Sequence, residues 1–323
     1  MTQGYDIGIL MPVITDMERF STRYQGLSEQ LDELNVSHFF ANGHRAYQDG
    51  TFNDVFDVSG QEVAEQGVTP VVRDLTMPSE DQPLYGDSLI RVVHDPETNA
   101  WIADKSNIYK ALPDLHPRTV VVTPDTLVNG LDIVPGDEVV VKPVTGMQSE
   151  GVHILPKSRA ARLSLEPGRY LLQEALDTSI GIPSLGIEGV HNARLISIHG
   201  VVVGGIARVR RPGSDERLLR NDIYGSYIAS DDLPTSMSKI ADRIHGEPAT
   251  LPGQGRNVVA IDIMRGVDAD GNEVVKLCEL NRRPMRVSRY NLRQKDNLDE
   301  AAIIRLASEW DQAEAVMLKG MVA

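Results

Sequence analysis

Cysteine is almost missing from this 323-residue chain. Cys278 is the only one, which excludes a disulfide framework and any zinc site built on a cysteine cluster. No uninterrupted apolar run is long enough to cross a bilayer, and the first residues lack the basic stretch and apolar core of a secretion leader. A soluble protein resident in the cytoplasm, with no membrane partner, is therefore expected. Positive charge is scarce as well: 32 Lys and Arg face 46 Asp and Glu, for a formal net charge of −14. That balance argues against general nucleic-acid binding, which needs a basic face. Two nucleotide signatures are also absent. Gly-Lys, the core of a P-loop, occurs nowhere, and Gly253-Gln-Gly255 lacks the third glycine and the preceding strand of a dinucleotide fingerprint. Nor does any Ser–His–Asp or Cys–His constellation stand out; His153, His191 and His199 are scattered.

What remains is the composition of an ordinary globular protein, 41% apolar and 24% charged, long enough for two or three domains. Tyr5 to Val13 reads as a buried strand and Phe20 to Leu34 as a helix. Val36 to Phe40, Asp54 to Val58, Val68 to Val72 and Leu89 to Val93 follow as strands of a small α/β unit with a partly parallel sheet. Asp95-Pro96 breaks that pattern, and Ala103 to Leu112 reads as one short helix. Further strands are expected at Thr119 to Val122 and Tyr170 to Glu174. Two hairpins come next, one turning at His199-Gly200 and one at Asp268-Ala-Asp-Gly-Asn272. The second turn lacks the ligand spacing and the downstream glutamate of a calcium loop. Met237 to His245 and Leu298 to Leu318 read as helices.

The chemistry concentrates in a few places. Val139-Val-Val-Lys-Pro-Val-Thr-Gly-Met-Gln-Ser-Glu-Gly-Val-His153 delivers one lysine, Lys142, to the edge of a strand. A loop bounded by Gly146 and Gly151 follows. A lysine supplies a point charge to phosphate oxygens and glycines let backbone amides approach them, so the unit suits a triphosphate; a solvated strand-end lysine is the plainer alternative. Farther on, Asp262 lies alone among Val and Ile, while Glu279 and Asn281 flank Leu280 and so share one face of a strand. Two carboxylates and an amide oxygen on adjoining strands form the hard donor set that Mg²⁺ takes. Ten of the 32 Lys and Arg fall in two clusters: Arg208, Arg210, Arg211, Arg217 and Arg220, then Arg282, Arg283, Arg286, Arg289 and Arg293. In an acidic protein they read as an anion pocket or as partners for surface carboxylates. Cys278 reads as a small core residue, and His191 as a solvated loop histidine or an aid to amine deprotonation.

Taken in order, these pieces resemble the ATP-grasp superfamily. They are Lys142 with its glycine loop, Leu171-Leu-Gln-Glu-Ala-Leu176, Asn192-Ala-Arg194 ahead of a hairpin, Ile206-Ala-Arg208, Arg220-Asn221, Asp262, and Glu279-Leu-Asn281. The branch most similar is that of bacterial glutathione synthetase and the ribosomal S6 modification (RimK-like) ligases. The likeness spans about residues 100–295.

The resemblance implies an α/β (α+β) protein with the ATP-grasp fold behind an N-terminal Rossmann-like pre-ATP-grasp domain. Residues 1–100 would form that first domain, 101–176 the small subdomain with the glycine loop, and 177–323 the large subdomain. It also implies roles. Lys105 and Lys142 contact the nucleotide, and Gly146 to Gly151 close over its phosphates. Glu174, Ala175 and Leu176 form the hinge whose backbone and side chain hold adenine, Gln173 before them also binds the nucleotide, and Asn192 lies near the ribose. Arg194, Arg208 and Arg220 contact phosphate or an acyl intermediate. Asp262, Glu279 and Asn281 ligate Mg²⁺, with Mn²⁺ as a substitute. The implied activity is an ATP-dependent carboxylate–amine ligase that forms an amide bond through an acyl phosphate and releases ADP and phosphate. Small-molecule carboxylates and amines would be its substrates, and a homodimer or homotetramer its assembly. The other reading is a non-catalytic nucleotide sensor or scaffold. Two departures stand out: Val190-His-Asn-Ala-Arg194 replaces the usual Gly-Asp-x-Arg, and Arg282-Arg-Pro-Met-Arg286 is more basic than glutathione synthetases carry. The second counts against glutathione chemistry itself.

Overall fold

A computed structural model describes residues 5–11, 16–48, 51–63, 71–74, 84, 90–93, 96–146, 149–210, 224–246, 258–281 and 300–322. The all-apolar β1 (Ile7–Met11) is buried at every position, as a strand covered on both faces must be. Helix α1 (Met17–Glu33) follows it. Asp16 caps this helix by accepting the Arg19 N–H at 3.0 Å, and Phe20, Tyr24, Leu27 and Leu31 recur along its buried face at helical spacing. Strand β2 (His38–Asn42) then leads to a small separate pair, β3 (Tyr47–Gln48) with β4 (Thr51–Phe52). With β5 (Val55–Phe56), β6 (Val71–Asp74) and β7 (Arg91–Val93) the first sheet has the order β5-β2-β1-β6-β7. Its pairings are parallel except β2 with β5, the mixed pattern expected from alternating strands and helices.

The next segment holds one more helix than expected. A helix that was not read, α2 (Pro96–Ala103), precedes the one read from Ala103 to Leu112, which is present as α3 (Lys105–Ala111). Pro96 opens α2 instead of merely breaking the chain, since a first helical position has no N–H to lose. Asp104 ends the one helix and caps the other, accepting the Ser106 N–H at 2.9 Å.

Strands β8 (Thr119–Val122), β9 (Glu138–Pro143), β10 (His153–Pro156) and β11 (Tyr170–Glu174) form an antiparallel sheet of order β10-β9-β11-β8, with α4 (Leu127–Ile133) and α5 (Lys157–Ala160) between them in the chain. Alternation sorts β9: Val139 and Val141 enter the core with Leu131 and Leu172, so Val140 and Lys142 take the other face.

The third sheet joins β12 (His191–Ile198), β13 (Val201–Val209), β14 (Tyr224–Ile228), β15 (Val258–Val267) and β16 (Glu273–Asn281) in the order β14-β13-β12-β15-β16. One of its faces carries Leu195, Val259, Ile261, Ile263 and Leu277. These pack against α2, α3 and helix α6 (Thr235–Gly246) through Ile102, Ile108 and Met237. The opposite face carries Ile196, Ile198, Val258 and Ala260 in one continuous core with β1 and α1. The last helix, α7 (Glu300–Val322), fills that core with Leu306, Trp310 and Leu318, running past the expected end at Leu318. No helix among the described residues is long and apolar enough to cross a membrane.

Helix α7 is also tied electrostatically to the parallel sheet. Glu314, 1% exposed, accepts Arg73 Nε and Trp310 Nε1 at 2.7 Å each, and Arg73 is 5% exposed. Breaking such a pair strands a buried charge. Glu314→Ala should therefore cost about 3–5 kcal/mol of stability, read as a lowered urea midpoint at unchanged m-value; a loss under about 1 kcal/mol would show that Arg73 finds water instead.

Candidate functional site

The second and third sheets face each other across a cavity of about 770 Å³. Lys142 enters from β9 at 5% exposure, and its Nζ donates to the Cys278 carbonyl at 3.0 Å. Lys105, the first residue of α3, donates through Nζ to the Gly146 carbonyl at 2.8 Å, while its own N–H bonds Val144 O at 2.8 Å. Both lysines thus reach one end of the cavity from different elements. Burial, and Lys142 beside it, push the Lys105 ammonium below its ordinary pKa, with Glu279 opposing the shift. Gly151 has φ +67°, and a Cβ there would sit 2.9 Å from Pro143 Cγ, so the loop turns only with glycine. A Cβ on Gly146 would meet nothing within 4 Å; that backbone borders open space.

The acidic residues reach the same cavity through an irregularity in the third sheet. Asp262 pairs with Glu279, but Ile263 pairs with Leu277, so Cys278 is an extra residue in β16. Leu277 and Leu280 both lie in the apolar core. With unbroken alternation Glu279 would share the face of Leu277; the bulge returns it to the face of Asp262. Asn281 follows on that face, its Nδ2 lying 3.1 Å from both Asp262 Oδ2 and Glu279 Oε1. Cys278, read from sequence as a core residue, lines the cavity instead, its thiol pushed up to about 11 mainly by burial.

Asp262 itself is 1% exposed and fully engaged. Arg194 on β12 forks onto both of its oxygens, Nε to Oδ1 at 2.7 Å and Nη2 to Oδ2 at 2.6 Å. Arg208 on β13 donates Nη2 to Oδ2 at 2.8 Å and Nε to Asn192 Oδ1 at 3.1 Å. Burial alone would raise the Asp262 carboxyl; Arg208 and Arg194 outweigh it and hold the carboxyl below the usual range. Arg194 is raised in turn, Asp262 overcoming its desolvation.

Gln173 and the hinge expected at Glu174 to Leu176 border the cavity too, with one correction. The Glu174 carboxylate is not free for a base. It accepts Arg118 Nε at 2.9 Å, Arg118 Nη2 at 2.7 Å and the Ala269 N–H at 2.6 Å, which fastens the end of β11 to the turn between β15 and β16. Gln173 gives its amide N–H to Thr119 Oγ1 at 2.7 Å. His191 is also corrected: it lies on β12 at 1% exposure, not in a solvated loop. Its Nδ1 faces Gly189 O at 3.0 Å and Thr178 O at 3.1 Å, and its Nε2 accepts the Arg265 N–H at 3.3 Å. Burial lowers its pKa, so both nitrogens serve the backbone of a neutral ring. Arg220 and the second arginine cluster lie outside the described residues.

Sequence reasoning missed three contributors: the lone Arg118 before β8, the hairpin tip at Ala269, and Cys278 as an extra residue between Leu277 and Leu280. None carries a recognisable motif.

No protein-family model and no curated protein matches the chain. Solved structures do. D-cycloserine synthetase DcsG is 17% identical with a TM-score of 0.54, covering 97% of this chain and 99% of its own. The ATP-grasp ligase PsnB, complexed with minimal precursor, Mg and ADP, is 16% identical at a TM-score of 0.53 over 95% and 99%. D-alanine–D-alanine ligase from Bacillus anthracis, complexed with ATP, is 14% identical at 0.52 over 98% and 99%. The chain has the ATP-grasp fold.

The side chains present fit Mg²⁺ in a particular way. A half-turn of the Asn281 carboxamide would place its oxygen where Nδ2 now stands, giving three hard donors. Yet Lys105, Lys142, Arg194 and Arg208 surround two carboxylates, and among the described residues no three Asp, Glu, His or Cys side chains converge. The set suits a cation that arrives on a polyphosphate, whose oxygens complete the shell.

The depressed Asp262 carboxyl sets a pH signature. Its stabilisation is complete above the unfolded value of about 3.9 and fades as pH falls through the lower folded value. Asp262→Asn should cost about 3 kcal/mol at pH 7, measured by urea unfolding, and the gap to the parent should narrow below about pH 4. A gap constant down to pH 2 would contradict the ionised, arginine-held carboxylate.

Proposed function

We propose that the protein is a Mg²⁺- and ATP-dependent carboxylate–amine ligase acting on a small amino acid, peptide or related metabolite. The observation that carries this reading is the meeting, in one cavity, of Lys105, Lys142 and the glycine loop with Asp262, Glu279 and Asn281 on the facing sheet. The shared fold with ATP-grasp ligases supports it.

A free carboxylate is a poor acyl donor because oxide leaves badly. In the proposed reaction its oxygen attacks the γ-phosphorus of ATP and ADP departs. The amine nitrogen then attacks the acyl carbon of the acyl phosphate; the C–N bond forms, phosphate leaves, and the nitrogen loses a proton. No protein nucleophile is needed. The chain's contribution is placement and charge.

Lys142 and Lys105 would bind phosphate oxygens, with the Gly146–Gly151 loop over them. The backbone of 173–176 would meet the base, since the Glu174 carboxylate is occupied by Arg118. Asp262, Glu279 and Asn281 would hold Mg²⁺, which supplies Lewis-acid polarisation of the phosphoryl oxygens when bound. Arg194, Arg208 and Arg220 would offset negative charge on the transferring group. His191 is unsuited as the base, because both ring nitrogens already serve the backbone; the amine proton goes to phosphate or solvent.

The test is ADP release screened over pairs of carboxylates and amines, with mass spectrometry of the product. An active pair should yield equimolar ADP, phosphate and amide. Glu279→Gln should lower its rate by on the order of a hundredfold or more while the unfolding transition persists. Undiminished turnover would remove Glu279 from the site. ADP binding with no turnover for any pair would favour a nucleotide-sensing protein instead.

A further inference from the structure

The engagement of Asp262 has a mechanistic consequence beyond that reading, on which it rests. A buried carboxylate that takes two guanidinium N–H groups on Oδ2 and one on Oδ1 has little lone-pair capacity left for a metal. Conversely, Arg194 and Arg208 commit guanidinium N–H groups to Asp262, donors of the kind that a carboxylate or phosphate ligand takes. The second anchor of Arg208, Asn192 Oδ1, holds it at the cavity wall, and both Asn192 and Arg208 line the cavity.

We infer that Arg194 and Arg208 act as a stand-in cation on Asp262, so that the anion-binding arginines are released only when a divalent cation arrives with the nucleotide. Two guanidiniums and one divalent cation bear the same charge, so they exchange at the carboxylate without leaving it uncompensated in a low-dielectric site. Without the exchange, the cation would meet two positive side chains at close range. The outcome is coupling between two ligands. Metal–nucleotide binding frees the arginines, the arginines then bind the oxygens of the second ligand, and by linkage that ligand strengthens metal binding in return. Ordered binding follows: the carboxylate substrate finds its arginines after metal–nucleotide, not before. This order protects the reaction, because a carboxylate bound first would occupy the arginines with no phosphoryl donor in place.

Calorimetry tests it without turnover. Mg²⁺ is titrated into protein saturated with ADP, and inorganic phosphate is then titrated into the protein·Mg·ADP complex and into protein with ADP but no metal. In the parent protein, phosphate should bind on the order of tenfold more tightly with Mg²⁺ than without, within the ordinary range of site coupling. In Arg208→Met, Arg194 still neutralises Asp262, so the fold is kept. Mg²⁺ should bind the ADP complex on the order of tenfold more tightly in that variant, and the metal-dependent gain in phosphate affinity should shrink. Arg208→Lys keeps the charge and should restore most of the parent's Mg²⁺ affinity, which separates displaced charge from lost packing. Unchanged or weaker Mg²⁺ binding in Arg208→Met, with phosphate indifferent to Mg²⁺ in the parent, overturns the inference. Absence of any Mg·ADP binding by the parent instead removes the ligase reading, and this inference with it.

Discussion

The structure turns on one buried carboxylate. Moving an isolated carboxylate from water into a protein interior costs several kcal/mol even after relaxation, and Asp262 is 1% exposed. It is tolerable there only because Arg194 is its direct register partner on β12 and Arg208 reaches it from the next strand, where Arg208 pairs in register with Asn192. The ion cluster therefore specifies the strand order β13-β12-β15 and the register within it. Slipping β15 by one residue would turn Asp262 into the core and Ile261 or Ile263 into the cavity. The residues that most constrain the third sheet are thus those most suited to handling phosphate.

A second clasp sets the opposite wall. Arg118, just before β8, grips the Glu174 carboxylate at the end of β11 and also bonds Asp270 at 2.7 Å. The Ala269 N–H donates to the same carboxylate. Two backbone bonds between Asp177 and Val267, at 3.0 and 2.9 Å, continue the join. The hairpin that carries Asp262 at one level and Glu279 opposite it is held at its tip by the sheet that carries Lys142. The distance across the cavity is in this way set by contacts at its edge. Arg118 holds the Glu174 carboxyl below its usual range against the desolvation that would raise it, so the clasp is an ionised pair at neutral pH. Gln173, beside it, gives its amide N–H to Thr119.

How much of this could be read from the chain differs by level. Strands with clean alternation were legible: Val139 and Val141 buried against Lys142 outward, or Glu279 and Asn281 about Leu280, follow from period two alone. So was the hairpin turn at Asp268, whose Oδ1 accepts the N–H of Asp270 and Asn272 at 3.0 and 2.9 Å as short polar turn residues do. Helix α2 was not, because Asp95-Pro96 reads as a break in the chain, whereas a proline at the first helical position opens a helix. The state of each charged side chain was illegible as well. Glu174 reads as a contact for the base and Asp262 as a Mg²⁺ ligand, yet Glu174 is satisfied by Arg118 and Asp262 by Arg194 and Arg208, all from distant parts of the chain. Sequence spacing carries face and order; it carries no information on which of two cations a carboxylate has found. His191 shows the same limit, since its partners Thr178, Gly189 and Arg265 come from three separate segments.

Cys278 shows how local irregularity and site chemistry are joined. Between Val275 and Leu277 the strand alternates with its odd residues toward the apolar core, yet Leu280 returns to that core on an even number. Only an inserted residue reconciles the two halves. A regular strand would have to choose: bury Leu277 with Glu279 beside it in the core and send Leu280 to the cavity, or bury Leu280 with Glu279 on the Asp262 face and send Leu277 to the cavity. The bulge accepts an interrupted ladder at one position and in exchange keeps both leucines in the core and both carboxylates together. The carbonyl freed from regular pairing is not left unsatisfied, for Cys278 O accepts Lys142 Nζ at 3.0 Å. The lysine from one sheet thereby completes the backbone of the other, next to the carboxylates it faces. A group that displaced that lysine toward phosphate would release the carbonyl into the same polar cavity, where a ligand or water can meet it.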